Sequence, residues 1–337
     1  MKPIHLQKMT TFHWTIGKSS KCDSKVFIWP SILIIEVLVY SSYGIFINLS
    51  RSDGNLEYHS SSIWFSVELL KLGLALLLAW PEILNQVSLF SKTKSVLPFC
   101  IPALCYCVNN NLSVYMQDQM DPATYQVLSN LKIASTALFY RLIIKRRLMT
   151  LQWVSLGILM FAGGLNSYTG LKAKSKSLQD IHISALGMVM AAIYCSVSGF
   201  SGVYTEYILK KDAVIPLALQ NCYMYIFGVI LNGLLMLYQS GDMKIYHSFT
   251  KYTWAAVISQ AFNGLAMSFI MKYSSNITRL LVISSAVPVT AALTMVVFNM
   301  KAGLDFFVVV FLVVLALCMY NSYSIGKRRS MSKESFV

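Results

Sequence analysis

The sequence predicts an all-α polytopic membrane protein with ten transmembrane helices, and three observations carry that prediction. Of 337 residues, 56% are hydrophobic and only 12% charged, against about 25% charged in soluble domains. Mean hydropathy is +0.57. The apolar residues form continuous runs of roughly 18–23 residues, the length of a membrane-crossing helix, rather than the ~10-residue alternating segments of a transmembrane barrel.

Ten such runs are read, at about 28–50, 62–80, 97–117, 121–140, 151–168, 183–208, 216–239, 252–271, 277–300 and 303–325. The division follows: a tail over 1–27, a first five-helix half over 28–168, a connecting loop over 169–182, a second half over 183–326 and a tail over 327–337. No apolar run before residue 27 is long enough for a secretory signal, so no cleaved leader is expected. With an even number of spans both tails share one side, which collects 19 of the 28 Lys and Arg residues. The positive-inside rule places that side in the cytosol. Lys172, Lys174 and Lys176 run against this count without reversing it. The net charge of +14 is therefore topological and gives no reason to expect nucleic acid as a partner.

The second run carries Glu68 and Lys71, three residues apart on one helix face, where they are candidates for a structural ion pair or for contact with a ligand. In the third, Tyr106, Asn109, Asn110 and Ser113 share one face. Such a stripe either hydrogen-bonds neighbouring helices or lines a cavity where amides match a nucleobase edge or sugar hydroxyls; its density favours the cavity. The fourth run places Tyr125, Ser129, Lys132 and Thr136 on one face. An ammonium at the bilayer centre costs about 2.5–3.5 kcal/mol on insertion scales, so Lys132 calls for an anion from another helix or from a ligand. Small residues in the fifth and sixth runs (Gly163, Gly164, Gly199 and Gly202) read as helix-packing positions.

The polar stretch at 169–182 divides five runs from five. Halves of odd number must be inverted relative to each other, an arrangement that places substrate near the midplane between them. The seventh run offers Asn221, Tyr225, Gly228 and Asn232. Arg279 opens the ninth; it either snorkels to the interface or presents its planar fork to phosphate. The seven cysteines (Cys22, Cys100, Cys105, Cys107, Cys195, Cys222 and Cys318) lack metal-ligand spacing, and all five histidines fall in tails or loops. No metal or cofactor is expected. The closest acidic pair, Asp118 and Asp121, is explained by helix capping, which leaves an intramembrane enzyme without a carboxylate cluster.

Four segments carry a resemblance: Tyr106-Cys-Val-Asn-Asn-Asn111, Met120-Asp-Pro-Ala-Thr-Tyr-Gln-Val-Leu-Ser-Asn-Leu-Lys132, Gly202-Val-Tyr-Thr-Glu-Tyr-Ile-Leu-Lys-Lys211 and Lys272-Tyr-Ser-Ser-Asn-Ile-Thr-Arg279. From about 30 to 325 the chain resembles the Golgi nucleotide-sugar transporters of solute carrier family 35, subfamily A, and within it a branch of probable UDP-sugar transporters. The resemblance implies a drug/metabolite transporter fold. It also implies exchange of a cytosolic nucleotide sugar for a lumenal nucleoside monophosphate across the Golgi membrane, with no cofactor. Tyr106 would lie against base and ribose, and Asn110 would bond the nucleotide. Tyr125 and Lys132 would face phosphate and sugar, while Asn221 and Tyr225 would line the base pocket. Asn109 stands where the CMP-sialic acid transporter has the longer glutamine, and Arg279 where the family has a phosphate-binding lysine. A UDP-sugar is therefore favoured, with a CMP- or CDP-linked sugar such as CMP-sialic acid as the alternative. A non-transporting membrane scaffold is the rival of another class. Membrane lipids are expected partners; homo-oligomers and complexes with other Golgi membrane proteins stay open.

Overall fold

Helix follows apolar run along the chain. In the computed structural model, residues 22–50, 60–84, 96–120, 122–145, 148–174, 184–212, 214–240, 246, 249–297 and 303–334 are described. They form α1 (Cys22–Leu49), α2 (Ser60–Leu84), α3 (Cys100–Gln119) and a fourth helix in two segments, α4a (Pro122–Ser129) and α4b (Lys132–Phe139). There follow α5 (Thr150–Lys174), α6 (Ala185–Lys211), α7 (Leu217–Ser240), α8 (Lys251–Tyr273), α9 (Asn276–Val297) and α10 (Leu304–Glu334). Among the described residues no strand occurs. By length and composition, α1, α2, the stretch Val127–Ile144, α6, α7, α8 and α9 are able to cross a membrane, and α10 carries a shorter apolar stretch, Leu304–Tyr320. The chain is thus a polytopic helical protein. Helix α3 falls short of that apolar standard because Asn109, Asn110 and Asn111 interrupt it.

Four boundaries differ from the sequence reading. α5 continues to Lys174, past the expected loop start at 169; lysines in a last helical turn are favoured by the helix dipole, so Lys172 and Lys174 extend the helix. α1 begins at Cys22 and α10 runs to Glu334, so helix enters both segments read as tails. The fourth run is not one helix. Asn130 N donates to Val127 O (3.2 Å), Leu131 N to Leu128 O (3.0 Å) and Ile133 N to Asn130 O (3.0 Å), a 3₁₀-type turn that overwinds the chain by about 20° per residue. The loops at 51–59, 85–95 and 175–183, the tails before 22 and after 334, Asp121 and the Asp118 side chain lie outside the described residues.

Packing cross-links the two parts of the chain. α2 lies against α7 and α5 against α10; α1 packs on α8 and α9, while α6 packs on α3 and α4b; α2 also meets α8, and α3 meets α7. The approach of α6 to α4b is close. A Cβ on Gly199 would lie 2.8 Å from Ser135 C and from Thr136 N, and Ser135 Oγ donates to Cys195 O at 2.5 Å. Only glycine admits backbone that near. The α4 overwinding sits just N-terminal to this crossing.

Candidate functional site

The polar side chains of the spans gather around α3. At one end is Arg279, one turn into α9. Ser275 caps that helix, accepting Thr278 N at 3.1 Å, and Glu206 of α6 accepts Asn276 N at 2.6 Å. Glu206 also pairs with Lys210 at 2.6 Å, and Lys210 donates to Ser274 O at 2.5 Å. A carboxylate at a helix N-terminus is electrostatically favourable, so Glu206 and Lys210 clamp the α8–α9 turn and fix the start of the helix that carries Arg279. The guanidinium turns inward: Nη1 donates to Tyr106 Oη (3.3 Å) and Asn276 Oδ1 (3.3 Å). Tyr106 Oη in turn lies 3.2 Å from Thr205 Oγ1. Arg279 Nε is shut off from solvent with no hydrogen-bond partner among the described residues.

One turn along α3, Asn109 is buried and its Oδ1 has no partner among the described residues. Asn109 and Tyr125 of α4a both act on the Tyr194 hydroxyl of α6, and the Tyr125 and Tyr194 rings stand 6.4 Å apart. Lys132, half-buried at the start of α4b, acts electrostatically on Tyr125 and on Cys195. It makes no ion pair among the described residues. Asn110, the next residue of α3, is half-buried.

A third group lies toward α7. Lys71 Nζ is 2.7 Å from Glu68 Oε1 and 4.3 Å from the centre of the Tyr225 ring. The fully buried Tyr225 donates its hydroxyl to Gly264 O at 3.3 Å. Gly228 leaves room for the carboxylate: a Cβ there would come within 2.6 Å of Glu68 Oε2. Asn221 is buried with Oδ1 unpartnered. Tyr225 and Tyr106 interact electrostatically, which joins this group to the Arg279 end.

The structure therefore brings Tyr106 to Arg279, Tyr125 to Lys132 and Tyr225 to the Glu68–Lys71 pair. It adds Thr205, Tyr194, Asn276 and Glu206, which the sequence reading did not single out, although Thr205, Glu206 and Asn276 stand inside the quoted motifs. Among the described residues no cluster of metal-ligating side chains occurs. A 460 Å³ crevice lined by Val127, Leu131, Met160, Phe161 and Leu165 among others is apolar and distinct from these side chains; it suits hydrocarbon rather than a nucleotide.

Two half-buried cations that make no ion pair among the described residues, together with buried amide oxygens lacking donors there, form an arrangement able to take an anionic, hydroxyl-rich ligand. The sequence profile of the nucleotide-sugar transporters matches residues 24–321. The chain belongs to that family. It is 37% identical over 298 residues to the probable UDP-sugar transporter protein SLC35A4 of Xenopus tropicalis, covering 88% of this chain and 92% of the relative. Against the Homo sapiens protein of the same name the identity is 37% over 306 residues, covering 87% and 93%. The Danio rerio protein is 38% identical over 270 residues, covering 79% and 85%. These relatives are named as transporters, not enzymes. A solved crystal structure shares the fold with TM-score 0.64 at 12% identity, covering 86% of this chain and 94% of that one.

Proposed function

We propose that this member of the family exchanges a cytosolic pyrimidine nucleotide sugar, a UDP-sugar by preference, for a lumenal nucleoside monophosphate across the Golgi membrane. The observation that carries this reading is the state of the cations. Glu68 and Glu206 each hold a lysine, whereas Lys132 and Arg279 make no ion pair among the described residues. Two intramembrane cations left without an anion are balanced when a phosphate arrives, and a monophosphate or a nucleotide sugar serves equally. Lys132 and Arg279 take the phosphates. Tyr106, Asn109, Asn110, Asn221 and Tyr225 read the nucleoside, and Tyr125 lies beside phosphate and sugar. The unpartnered oxygens of Asn109 and Asn221 await donors such as a base N–H or ribose hydroxyls, since a buried unmade hydrogen bond costs about 1–3 kcal/mol.

The proposed architecture is ten spans in two inverted halves, 28–168 and 183–326, with both tails in the cytosol. The packing pattern supports the inversion. Exchanging each helix for the one five places on turns α1·α8 into α6·α3, α1·α9 into α6·α4 and α2·α8 into α7·α3, and leaves α2·α7 and α5·α10 unchanged; every one of these contacts is present. Asn109 on α3 and Asn263 on α8 occupy matching helices, each with a buried unpartnered Oδ1. A site between such halves is reached alternately from either side as one half rocks on the other.

The test is exchange in proteoliposomes loaded with UMP, CMP or GMP and offered the matching labelled nucleotide sugars. Uptake driven by UMP is expected. Uptake driven by CMP alone would reassign the substrate to a CMP- or CDP-linked sugar, and uptake confined to the guanine pair would sink the pyrimidine assignment. Binding of nucleotides with no exchange at all would favour a scaffold.

A further inference from the structure

A third buried carboxyl lies on α1, outside the groups described above. Glu36 is 3% exposed, and its Oε1 has no hydrogen-bond donor among the described residues. α1 packs on α8 and α9. On either side of Glu36, Leu33, Val37 and Tyr40 of α1 belong to one apolar cluster with Met267 and Ile270 of α8 and Val282 and Ile283 of α9, and further along Ser41 Oγ donates to Ala286 O of α9. The charged and titratable groups of those helices make these contacts away from Glu36. Lys272 donates to Ile215 O and Gln220 Oε1, Arg279 to Tyr106 and Asn276. Lys251 lies over Tyr252 at the far end of α8, and the Tyr273 ring packs on Phe269. Glu36 itself makes no ion pair among the described residues.

A carboxylate enclosed by apolar side chains, with neither donor nor cation, is strongly disfavoured, whereas the neutral acid is tolerated. A glutamine or leucine would fill the same space at lower cost, so the acid itself calls for a use. Its location supplies one. α1 belongs to the first half of the chain and α8 and α9 to the second, so Glu36 lies at a contact that alternating access must open. One turn further along, Tyr40 acts electrostatically on Tyr194, whose ring stands 6.4 Å from that of Tyr125 at the site.

We propose that Glu36 is a proton-binding site of the carrier, loaded while α1 is packed on α8 and α9 and released when those helices part. The proposal rests on the transport reading for its release step and on the geometry alone for the bound proton. Turnover then depends on proton concentration on the side to which the α1 contact opens, by at most about tenfold per pH unit for one proton.

Two measurements on the full-length protein test it. The first is the melting temperature of the ligand-free, detergent-purified chain between about pH 5 and 8. Exposed in the unfolded chain, glutamate releases its proton near ~4.3, so the folded state binds the extra proton and stability falls as pH rises. The wild-type melting temperature should drop by several degrees relative to Glu36→Gln and to Glu36→Leu, which keep the volume and remove the titration. Parallel curves for wild type and either variant would overturn the proposal. The second is labelled UMP homo-exchange in proteoliposomes across the same range, where Glu36→Gln should flatten the wild-type pH profile. An unchanged profile in an active Glu36→Gln carrier would refute the release step. Failure of wild type to exchange any nucleotide would instead strike the transport reading and the release step with it, while the melting curves judge the bound proton independently.

Discussion

Arg279 is the residue at which a structural role and a ligand-binding role separate most cleanly. Its Nη1 contacts, 3.3 Å to Tyr106 Oη, 3.3 Å to Asn276 Oδ1 and 3.6 Å to Met271 Sδ, are longer than the usual 2.9–3.0 Å of N–H···O bonds. The guanidinium carbon stands 5.9 Å from the Tyr106 ring centre, at the outer edge of a useful cation–π contact. Nε has no partner. Removing this side chain therefore takes little from the fold: Arg279→Ala should cost no more than about 1 kcal/mol of stability. A phosphate held by the fork is another matter, because each hydrogen bond to a charged group contributes about 1.5–3 kcal/mol. Affinity for UMP should fall by about 2–3 kcal/mol, roughly 30- to 150-fold. Arg279→Lys keeps the charge and loses the planar fork, so it should recover about half of that loss. Titration calorimetry of UMP into purified protein, with melting temperatures measured alongside, reads both quantities. If Arg279→Ala bound UMP within about twofold of wild type, or lost stability as steeply as affinity, the arginine would be a structural brace.

Lys132→Ala should likewise weaken UMP binding by about 1.5–3 kcal/mol, measured by the same titration. Glu206→Gln removes the charge from the α8–α9 clamp and should lower stability by about 2 kcal/mol in thermal melts, with UMP affinity falling too because α9 sets the position of Arg279. Gly199→Ala drives a Cβ to within 2.8 Å of the α4b backbone and should destabilise by about 1–3 kcal/mol, whereas Gly73→Ala, with nothing within 4 Å, should be neutral or stabilise by up to about 1 kcal/mol. Equal melting shifts for the two glycine variants would discredit the close helix crossing. Cysteine-accessibility mapping should find residues 81–96 and 141–150 on the cytosolic side; lumenal exposure of 141–150 would overturn the proposed orientation.

The helices were legible because the apolar runs match the thickness they have to span. What escaped was tertiary. Between Pro122 and Phe139 no glycine or proline marks a break, and the overwinding at Asn130 adjoins the crossing of α6 at Gly199, about seventy residues further along the chain. The extension of α5 to Lys174 was hidden for the opposite reason: basic residues read as loop are also good helix formers near a C-terminus.

In the site, the polar stripe of α3 was legible because asparagines in an apolar run are conspicuous, and Glu68–Lys71 because its partners sit three residues apart on one helix. The partners of that stripe were not, since Thr205 and Arg279 reach Tyr106 across 99 and 173 residues of chain. Position along a span also misjudges the use of a cation. Lys272 and Arg279 stand seven residues apart, and the sequence counts both as cytosolic topological charge. Lys272 turns to Gln220 of α7 and the α6–α7 connection, where two acceptors at 2.7 and 2.8 Å satisfy it, while Arg279 turns inward to contacts of 3.3 Å or more. Short bonds to fixed acceptors mark a cation spent on the fold. Long bonds and an Nε without a partner among the described residues mark one the fold does not use, which is why the ligand-binding test falls on Arg279.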